Sequence, residues 1–277
     1  MEVLKTYKLY IGGQFPRTES GRTYAVYSAA GEHIANACQG SKKDIRNAVQ
    51  AARKAQAAWA HKSAFNRSQI AYRIAEMLEA RKAQFIEELR AMGQTQQAAE
   101  EELRKSIDRC VYYAGWADKY QALLSSVNPV ASSHFVACQQ TALLGLISQI
   151  LPILIGGNTV VVVANTTQPL CAISFAEVLA TSDVPGGVVN ILTGEVGELL
   201  PTLAGHMDVN ALSIAPIDSN LQNAAQEAAI DNLKRVRIFT DPLHVKSAQG
   251  LPYIADFQEI KTTWHPVEQV AGGAGGY

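Results

Sequence analysis

Apolar residues in the first half of the chain recur with two different periods. Near the N terminus, the stretches KLYIGGQF, TYAVYSA and HIANAC alternate over short runs with turn signals between them, which predicts three short strands. From Lys42 onwards, apolar residues recur every three or four positions in three long segments that are otherwise polar. The second of these, NRSQIAYRIAEMLEARKAQFIEELRAM, predicts one continuous helix. We therefore expect three amphipathic helices after the strands.

The second half of the chain alternates between strand and helix patterns. The apolar run ALLGLISQILPILIGG, residues 142–157, predicts a buried helix that ends near Pro152, because proline cannot continue a helix. Strands are then predicted at 159–163, 188–192, 211–214 and 236–240, with helices between them. Such alternation favours right-handed crossovers and a parallel sheet. The predicted fold class is α/β, with a Rossmann-like parallel sheet and N-terminal helices.

Two further segments predict a small, separate β element. Residues 125–140, SSVNPVASSHFVACQQ, combine a turn at Pro129 with β-prone flanks, which predicts a hairpin. Near the C terminus, DFQEIKTTW predicts a strand before the glycine-rich tail AGGAGGY. The predicted organisation has four parts: N-terminal strands and helices at 1–124, the hairpin at 125–141, a Rossmann-like core at 142–241, and a linker, strand and tail at 242–277.

Composition and charge narrow the class of protein. The 277 residues are 48% hydrophobic and 18% charged, with a net charge of -1. This is ordinary globular composition, and the lack of a basic stripe argues against nucleic acid. No apolar run reaches the roughly 20 residues of a bilayer span, so no membrane partner is expected. Residues 1–10 hold no apolar signal segment, and the four cysteines are scattered, both of which favour the cytoplasm.

Few side chains suggest catalysis or metal binding. Cys171 begins a helix, where a thiol pKa is lowered, but the apolar period of PLCAISFAEV favours core packing. The six histidines lack metal-ligand spacing, so no metal is expected; His206 is interpreted as part of a turn. The acidic run at 100–102 opens a helix and is interpreted as complementing that helix's own dipole.

Seven stretches, taken in order, resemble the aldehyde dehydrogenase superfamily. They are YKLYIGGQF, the two helices KKDIRNAVQAARKAQAAWAHKSAFNRSQIAYRIAEMLEARKAQF, YYAGWADKY, GGNTVVVV, DVPGGVVNILTG, AGHMDVNAL and DFQEIKTTW. The resemblance implies a Rossmann-type domain that binds NAD, a separate catalytic domain with a nucleophilic cysteine, and assembly into oligomers through a small sheet.

The chain departs from the family pattern where catalysis would occur. The family places its catalytic domain, with the nucleophilic cysteine and a general-base glutamate, between the segments that match Thr240 and Gly250. Only DPLHVKSAQG joins the two ends here. A second gap is inferred before Ala142, where the family has a strand carrying the asparagine of its oxyanion hole. Together these departures predict a pseudoenzyme with no catalytic residues.

The residues that hold NAD in the family are also replaced. By the resemblance, Val163 stands where the family has a ribose-binding lysine, and Thr166 where it has a ribose-binding glutamate. Ala215 and Pro216 occupy a turn whose serine faces the pyrophosphate, and proline offers no N–H to a phosphate. We expect NAD to be the ancestral cofactor and its binding to be lost.

Two glycines retain the family spacing without the rest of the motif. Gly194 and Gly197 lie in TGEVGE, where Glu195 and Glu198 place negative charge beside a phosphate path. This is only part of a phosphate-binding loop. All five positions, Val163, Thr166, Gly194, Gly197 and Pro216, are therefore interpreted as degenerate cofactor positions.

The sequence thus predicts an inactive aldehyde-dehydrogenase-like protein that serves as a structural or regulatory subunit. The expected partner is a second copy or a full-length aldehyde dehydrogenase. The contacts are predicted at the C-terminal strand, through Phe257, Ile260, Thr262 and Trp264. Two alternatives remain open. One is a reduced NAD(P)-dependent aldehyde oxidoreductase or weak nucleotide-binding module; the other is a binder of another small molecule in the vacated crevice.

Overall fold

A small mixed sheet opens the chain. The computed structural model describes residues 3–124, 133–137, 141–240 and 248–259. The small sheet consists of β1 (Thr6–Tyr7), β2 (Thr23–Tyr27) and β3 (His33–Cys38), in the order β1-β3-β2. Strand β1 runs parallel to β3, and β2 runs antiparallel to it. The three short strands predicted near the N terminus are confirmed.

Five helices follow the small sheet. They are α1 (Lys42–Ala60), α2 (Ala64–Ala80), α3 (Lys82–Ala91), α4 (Gln96–Ala114) and α5 (Tyr120–Leu124). Helix α1 begins with a capping box, in which Ser41 and Asp44 bind each other's backbone N–H groups. The continuous helix predicted over α2 and α3 is wrong, because the backbone leaves helical geometry at Arg81. This break lets Leu78 and Phe85, on either side of it, both be fully buried.

The larger sheet has five strands, all parallel. Its strands are β4 (Ser133–Ala137), β5 (Thr159–Val163), β6 (Val189–Leu192), β7 (Val209–Ile214) and β8 (Arg235–Ile238), in the order β6-β5-β4-β7-β8. The remaining helices are α6 (Leu144–Ile155), α7 (Leu170–Ala180), α8 (Val196–Ala204), α9 (Ser219–Ala229), a short 3-10 helix (Ile230–Asn232) and α10 (Leu251–Ala255). The predicted α/β class with a Rossmann-like parallel sheet is confirmed.

The valines of β5 show how this sheet is buried on both faces. Val160 and Val162 pack with α2, α4, α6 and α7 on one face. Val161 and Val163 pack with α1, α8 and α9 on the other. All four side chains are at most 1% exposed. A central parallel strand must be apolar on both faces, which explains the uninterrupted valine run.

The hairpin predicted at 125–140 is wrong for strand β4. Residues 133–137 lie at the centre of the large sheet and pair in parallel with both β5 and β7. The strand that we expected to be absent before Ala142 is therefore present. Five β-prone residues fit a hairpin arm and a central strand equally well, because pairing partners far along the chain leave no local signal.

Helix α6 does not end at Pro152, as predicted, but continues to Ile155. A proline inside a helix removes one N–H donor, yet every residue of this helix is buried. Groups from other helices also bind the carbonyls at its C-terminal end. Trp59 Nε1 donates to Leu154 O at 3.1 Å, and Arg67 Nε donates to Ile155 O at 3.1 Å. Tertiary contacts thus outweigh the local preference for a break.

The chain after β8 returns to the same core. Where a strand was predicted from residue 256, the structure instead has α10 followed by a turn. Phe257 is 4% exposed, and its carbonyl accepts a hydrogen bond from Asn158 Nδ2 at 3.0 Å. Gln258 Nε2 donates to Gly156 O at 3.1 Å. The rest of that predicted strand face lies outside the described residues: Ile260, Thr262 and Trp264.

Candidate functional site

The carboxyl edge of the large sheet is the candidate site, because the topology changes direction there. From β4 the chain moves outward through β5 to β6, whereas β7 and β8 lie on the other side of β4. In open parallel sheets, ligands bind outside the carboxyl ends of the strands at such a switch point. The segments after β5, β6 and β7 supply the predicted site residues that the structure describes.

Val163 ends β5 at this edge and is fully buried. Its side chain is 0% exposed and belongs to an apolar cluster that includes Leu192, Leu199 and Leu203. A valine carries no donor or acceptor, and here its side chain is not open to a ligand. The side chain that follows the strand on the α8 face therefore serves packing.

Thr166 lies in the turn after β5, and its polar group is used within the chain. Its hydroxyl Oγ1 donates to Gly194 O at 2.9 Å. In the same turn, Asn165 Oδ1 accepts from Thr167 N at 2.9 Å and from Gln168 N at 3.1 Å. These bonds form an Asx-type turn that stabilises itself. They also tie the turn after β5 to the turn after β6.

The two glycines of TGEVGE differ in what they do for the fold. Gly194 has φ +139°, and an added Cβ would lie 3.0 Å from Gly40 N. Gly40 N donates to Thr193 O at 2.8 Å, so close backbone approach explains Gly194 without a ligand. An added Cβ at Gly197 would meet nothing within 4 Å. Packing therefore does not require a glycine at 197.

The N terminus of α9 is capped by a carboxylate of the chain itself. Ala215 is buried and Pro216 is exposed in the turn after β7. Asp218 Oδ1 then accepts from Asn220 N at 3.0 Å and from Leu221 N at 3.2 Å. A helix N terminus binds anions through such N–H groups, and Asp218 already provides the anion. The sequence holds a signal for this cap, an aspartate before the helix, that we did not use.

A second buried carboxylate caps α6. Glu102 Oε1 accepts from Leu143 N at 2.9 Å and from Leu144 N at 3.0 Å, although Glu102 itself lies on α4. The interpretation that this glutamate complements the dipole of its own helix is wrong, because it caps another helix. No local pattern indicates a partner 41 residues away.

The described cysteines are packing residues. Cys38, Cys110 and Cys171 are free and fully buried. Burial raises the pKa of the Cys171 thiol well above its ordinary value, and the nearby Glu88 adds to this effect. The thiolate is the reactive form, so this cysteine is poorly suited to act as a nucleophile. The predicted core role of Cys171 agrees with this geometry, whereas Cys138 lies outside the described residues.

The histidine interpretation and the metal search give simple results. His206 Nδ1 accepts from Asp208 N at 3.2 Å in the turn before β7, as expected for a structural turn. Across the described ranges, no three His, Cys, Asp or Glu side chains group in a way that could hold a metal ion. Among the helices that the structure describes, none is long and apolar enough to cross a membrane.

Similar proteins were found by sequence. Mitochondrial 10-formyltetrahydrofolate dehydrogenase of Mus musculus is 28% identical over 257 residues, which cover 86% of this chain and 28% of that protein. Retinal dehydrogenase 2 of Homo sapiens is 30% identical over 252 residues, which cover 85% of this chain and 48% of that protein. The matched region is thus less than half the length of either relative.

Similar structures show the same fold. The NAD⁺ complex of aldehyde dehydrogenase from Bacillus cereus has a TM-score of 0.78 at 21% identity, covering 84% of this chain and 50% of that one. HpcC from Thermus thermophilus has a TM-score of 0.79 at 24% identity, covering 84% and 48%. A sequence model described as "Aldehyde dehydrogenase family" matches residues 15–238, most of the chain. The protein therefore belongs to the aldehyde dehydrogenase family.

Proposed function

We propose that this chain is a non-catalytic aldehyde dehydrogenase that acts as a structural or regulatory subunit of an oligomer. The observation that carries this proposal is the short connection between β8 and α10. The resemblance to the family implies that the nucleophilic cysteine and the general base belong to a domain inserted at this point. A reducing, cytoplasmic setting would suit its free buried cysteines.

Both ends of that connection are fixed to one core. The rings of Phe239 and Tyr253 lie 5.4 Å apart, and Arg237 forms an ion pair with Asp256. Arg109 Nη1 donates to the carbonyl of Ala248. Between Phe239 and Ala248 the sequence has only eight residues, which cannot form a folded domain. The proposal of inactivity rests on this limit and not on where the chain begins or ends.

The residues at the carboxyl edge do not fit NAD as the family holds it. Val163 offers no charge and is buried, and the hydroxyl of Thr166 is bound to Gly194. Asp218 caps α9, so a pyrophosphate there would meet a carboxylate. A charge-assisted hydrogen bond contributes about 1.5–3 kcal/mol, so losing the lysine and glutamate contacts weakens binding by roughly two to four decades. We therefore derive no reaction step through this cofactor.

The first test is aldehyde oxidation. The purified protein should form no NADH from aliphatic or aromatic aldehydes, because the catalytic block and its oxyanion donor each contribute about 10²-fold or more. A Cys171→Ala variant is the control. Turnover in the native chain that disappears in this variant would contradict the proposal and favour a reduced oxidoreductase.

The second test is cofactor binding. Calorimetry with NAD and NADP at millimolar concentration should show no saturable heat, since the described edge carries an extra carboxylate and lacks the family's charged contacts. Asp218→Asn keeps a side chain that can cap α9 but removes the negative charge. A low-micromolar Kd in the native chain would support the nucleotide-binding alternative, and saturable heat with another small molecule would support the second one.

Assembly is the remaining part of the proposal. The expected partners are a second copy or a full-length aldehyde dehydrogenase, because relatives of this chain are about twice its matched length or more. Native mass measurement together with pull-down against the full-length enzyme tests this part. A chain that stays monomeric and recovers no partner would remove the case for a subunit role.

A further inference from the structure

Three large apolar side chains are exposed near one another at the amino end of the large sheet. Met207 is 65% exposed in the turn between α8 and β7. Ile230 is 68% exposed and Leu233 is 90% exposed, both in the connection between α9 and β8. We call these three residues the amino-edge patch. It lies at the opposite end of the strands from the candidate cofactor edge.

Hydrogen bonds hold the two turns of the patch together. Asn232 Nδ2 donates to Met207 O at 3.0 Å and to Val209 O at 3.3 Å. Lys234 Nζ donates to His206 O at 2.8 Å and also binds Asn232 Oδ1. The side chains of Asn232 and Lys234 therefore fix one turn against the other. The patch is a formed surface and not the tip of a single loop.

Leu233 has a backbone conformation that the isolated subunit does not favour. Its φ is 54° and its ψ is 40°, the left-handed region that glycine or asparagine adopts at the end of a helix. A leucine there is strained, and it also exposes nearly all of its apolar side chain. Neither cost is explained by packing within the chain. Strain of this kind together with exposed apolar surface indicates an interaction site.

The surroundings of the patch indicate what binds there. Arg53 lies 3.9 Å from Asp208, and exposed Asp231 and Arg235 flank Leu233. The rim thus carries both signs of charge, as a surface that meets its own copy about a two-fold axis requires. A partner of one charge sign would leave half of this rim unmatched.

An edge strand adjoins the patch. Among the described strands, β8 is last in the sheet order and pairs only with β7. An edge strand presents N–H and C=O groups to which another chain can bind. A standard interface buries about 800 Å² per partner, more than three side chains supply, so the contact must extend along β8.

We propose that the amino-edge patch and the outer edge of β8 form the contact between two copies of this chain. The inference deepens the assembly role proposed above and rests on it. It is tested by mass and not by an aldehyde or NAD assay, so its failure can be distinguished from a failure of the proposed loss of catalysis.

The decisive variant is Leu233→Gly in the full chain, measured by sedimentation or native mass from sub-micromolar concentration upwards. The native chain should dimerise, and the variant should weaken dimerisation at least about tenfold, because each dimer loses two buried leucines. Its monomer should melt at the same or a higher temperature, because glycine tolerates the positive φ. A leucine with only a folding role would instead lower the melting temperature and leave the mass unchanged.

Two further variants sharpen the test. Ile230→Ser should also weaken dimerisation, whereas Phe65→Ser should not, because Phe65 is equally exposed, at 68%, but lies on α2 away from the patch. A native chain that stays monomeric up to ~100 μM would overturn the proposal. A dimer unaffected by Leu233→Gly would do so as well, as would loss of a full-length relative from this patch in a chain that is itself monomeric.

Discussion

At the scale of single residues, Glu88 is a carboxyl group whose donors all bind one oxygen. Ser174 Oγ, Tyr7 Oη and Gln84 Nε2 lie 2.5, 3.2 and 3.3 Å from Glu88 Oε1. In the described part of the chain, Oε2 has no hydrogen-bond partner although it is buried. Burial raises the pKa of Glu88, while the three donors and the charge of Lys5 oppose that rise. The net effect favours the neutral acid.

This carboxyl should make stability depend on pH. Because its pKa is higher in the folded chain, the native state binds the proton more tightly. The stabilisation is complete below the unfolded pKa of about 4.3 and is lost as pH rises through the folded pKa. Glu88→Gln should therefore gain stability relative to the native chain between pH 4 and pH 8, by about 1.4 kcal/mol per unit of raised pKa. Urea unfolding at both pH values checks this, with exposed Glu79→Gln as the control.

Val163 supports a second prediction at the residue scale. Val163→Lys restores the residue type that the family resemblance implies, but it places an ammonium in a fully buried apolar cluster. We expect the free energy of unfolding to fall by about 3 kcal/mol or more, with no gain in NAD affinity. Thr167→Lys, at an exposed position of the same turn, should change stability by less than ~0.5 kcal/mol. Saturable NAD binding by the Val163 variant would show that the crevice is still formed.

At the scale of elements, the C-terminal segment is attached to the turn between α6 and β5. Asn158 and Gly156 hold it through Phe257 and Gln258, and a Cβ at Gly156 would overlap the amide of Gln258. Gly156→Ala should therefore release residues 248–259, at a cost of about 2 kcal/mol for two hydrogen bonds. Faster amide exchange and proteolysis in α10 would report the release. Gly197→Ala, whose Cβ meets nothing, should leave both unchanged.

At the scale of the whole molecule, the sequence patterns predict the fold well and its long-range connections poorly. The alternation after residue 158 predicts a parallel sheet because each strand and helix has its own period. Strand β4 was mistaken for a hairpin, since its partners lie 26 or more residues away. At the site, the burial of Val163 follows from the valine run. The cap by Glu102 does not, because α4 and α6 meet only in the folded chain.

The short connection from Phe239 to Ala248 also defines a place where sequence can be added. Its two flanks are held by their own contacts, so the sheet and helices assemble without help from what lies between them. Loop-closure entropy grows slowly, by about 0.6 kcal/mol for each doubling of length. A folded guest with neighbouring termini could thus be inserted there at little cost to the host. The same arithmetic makes gain or removal of a whole domain at this point an accessible genetic step.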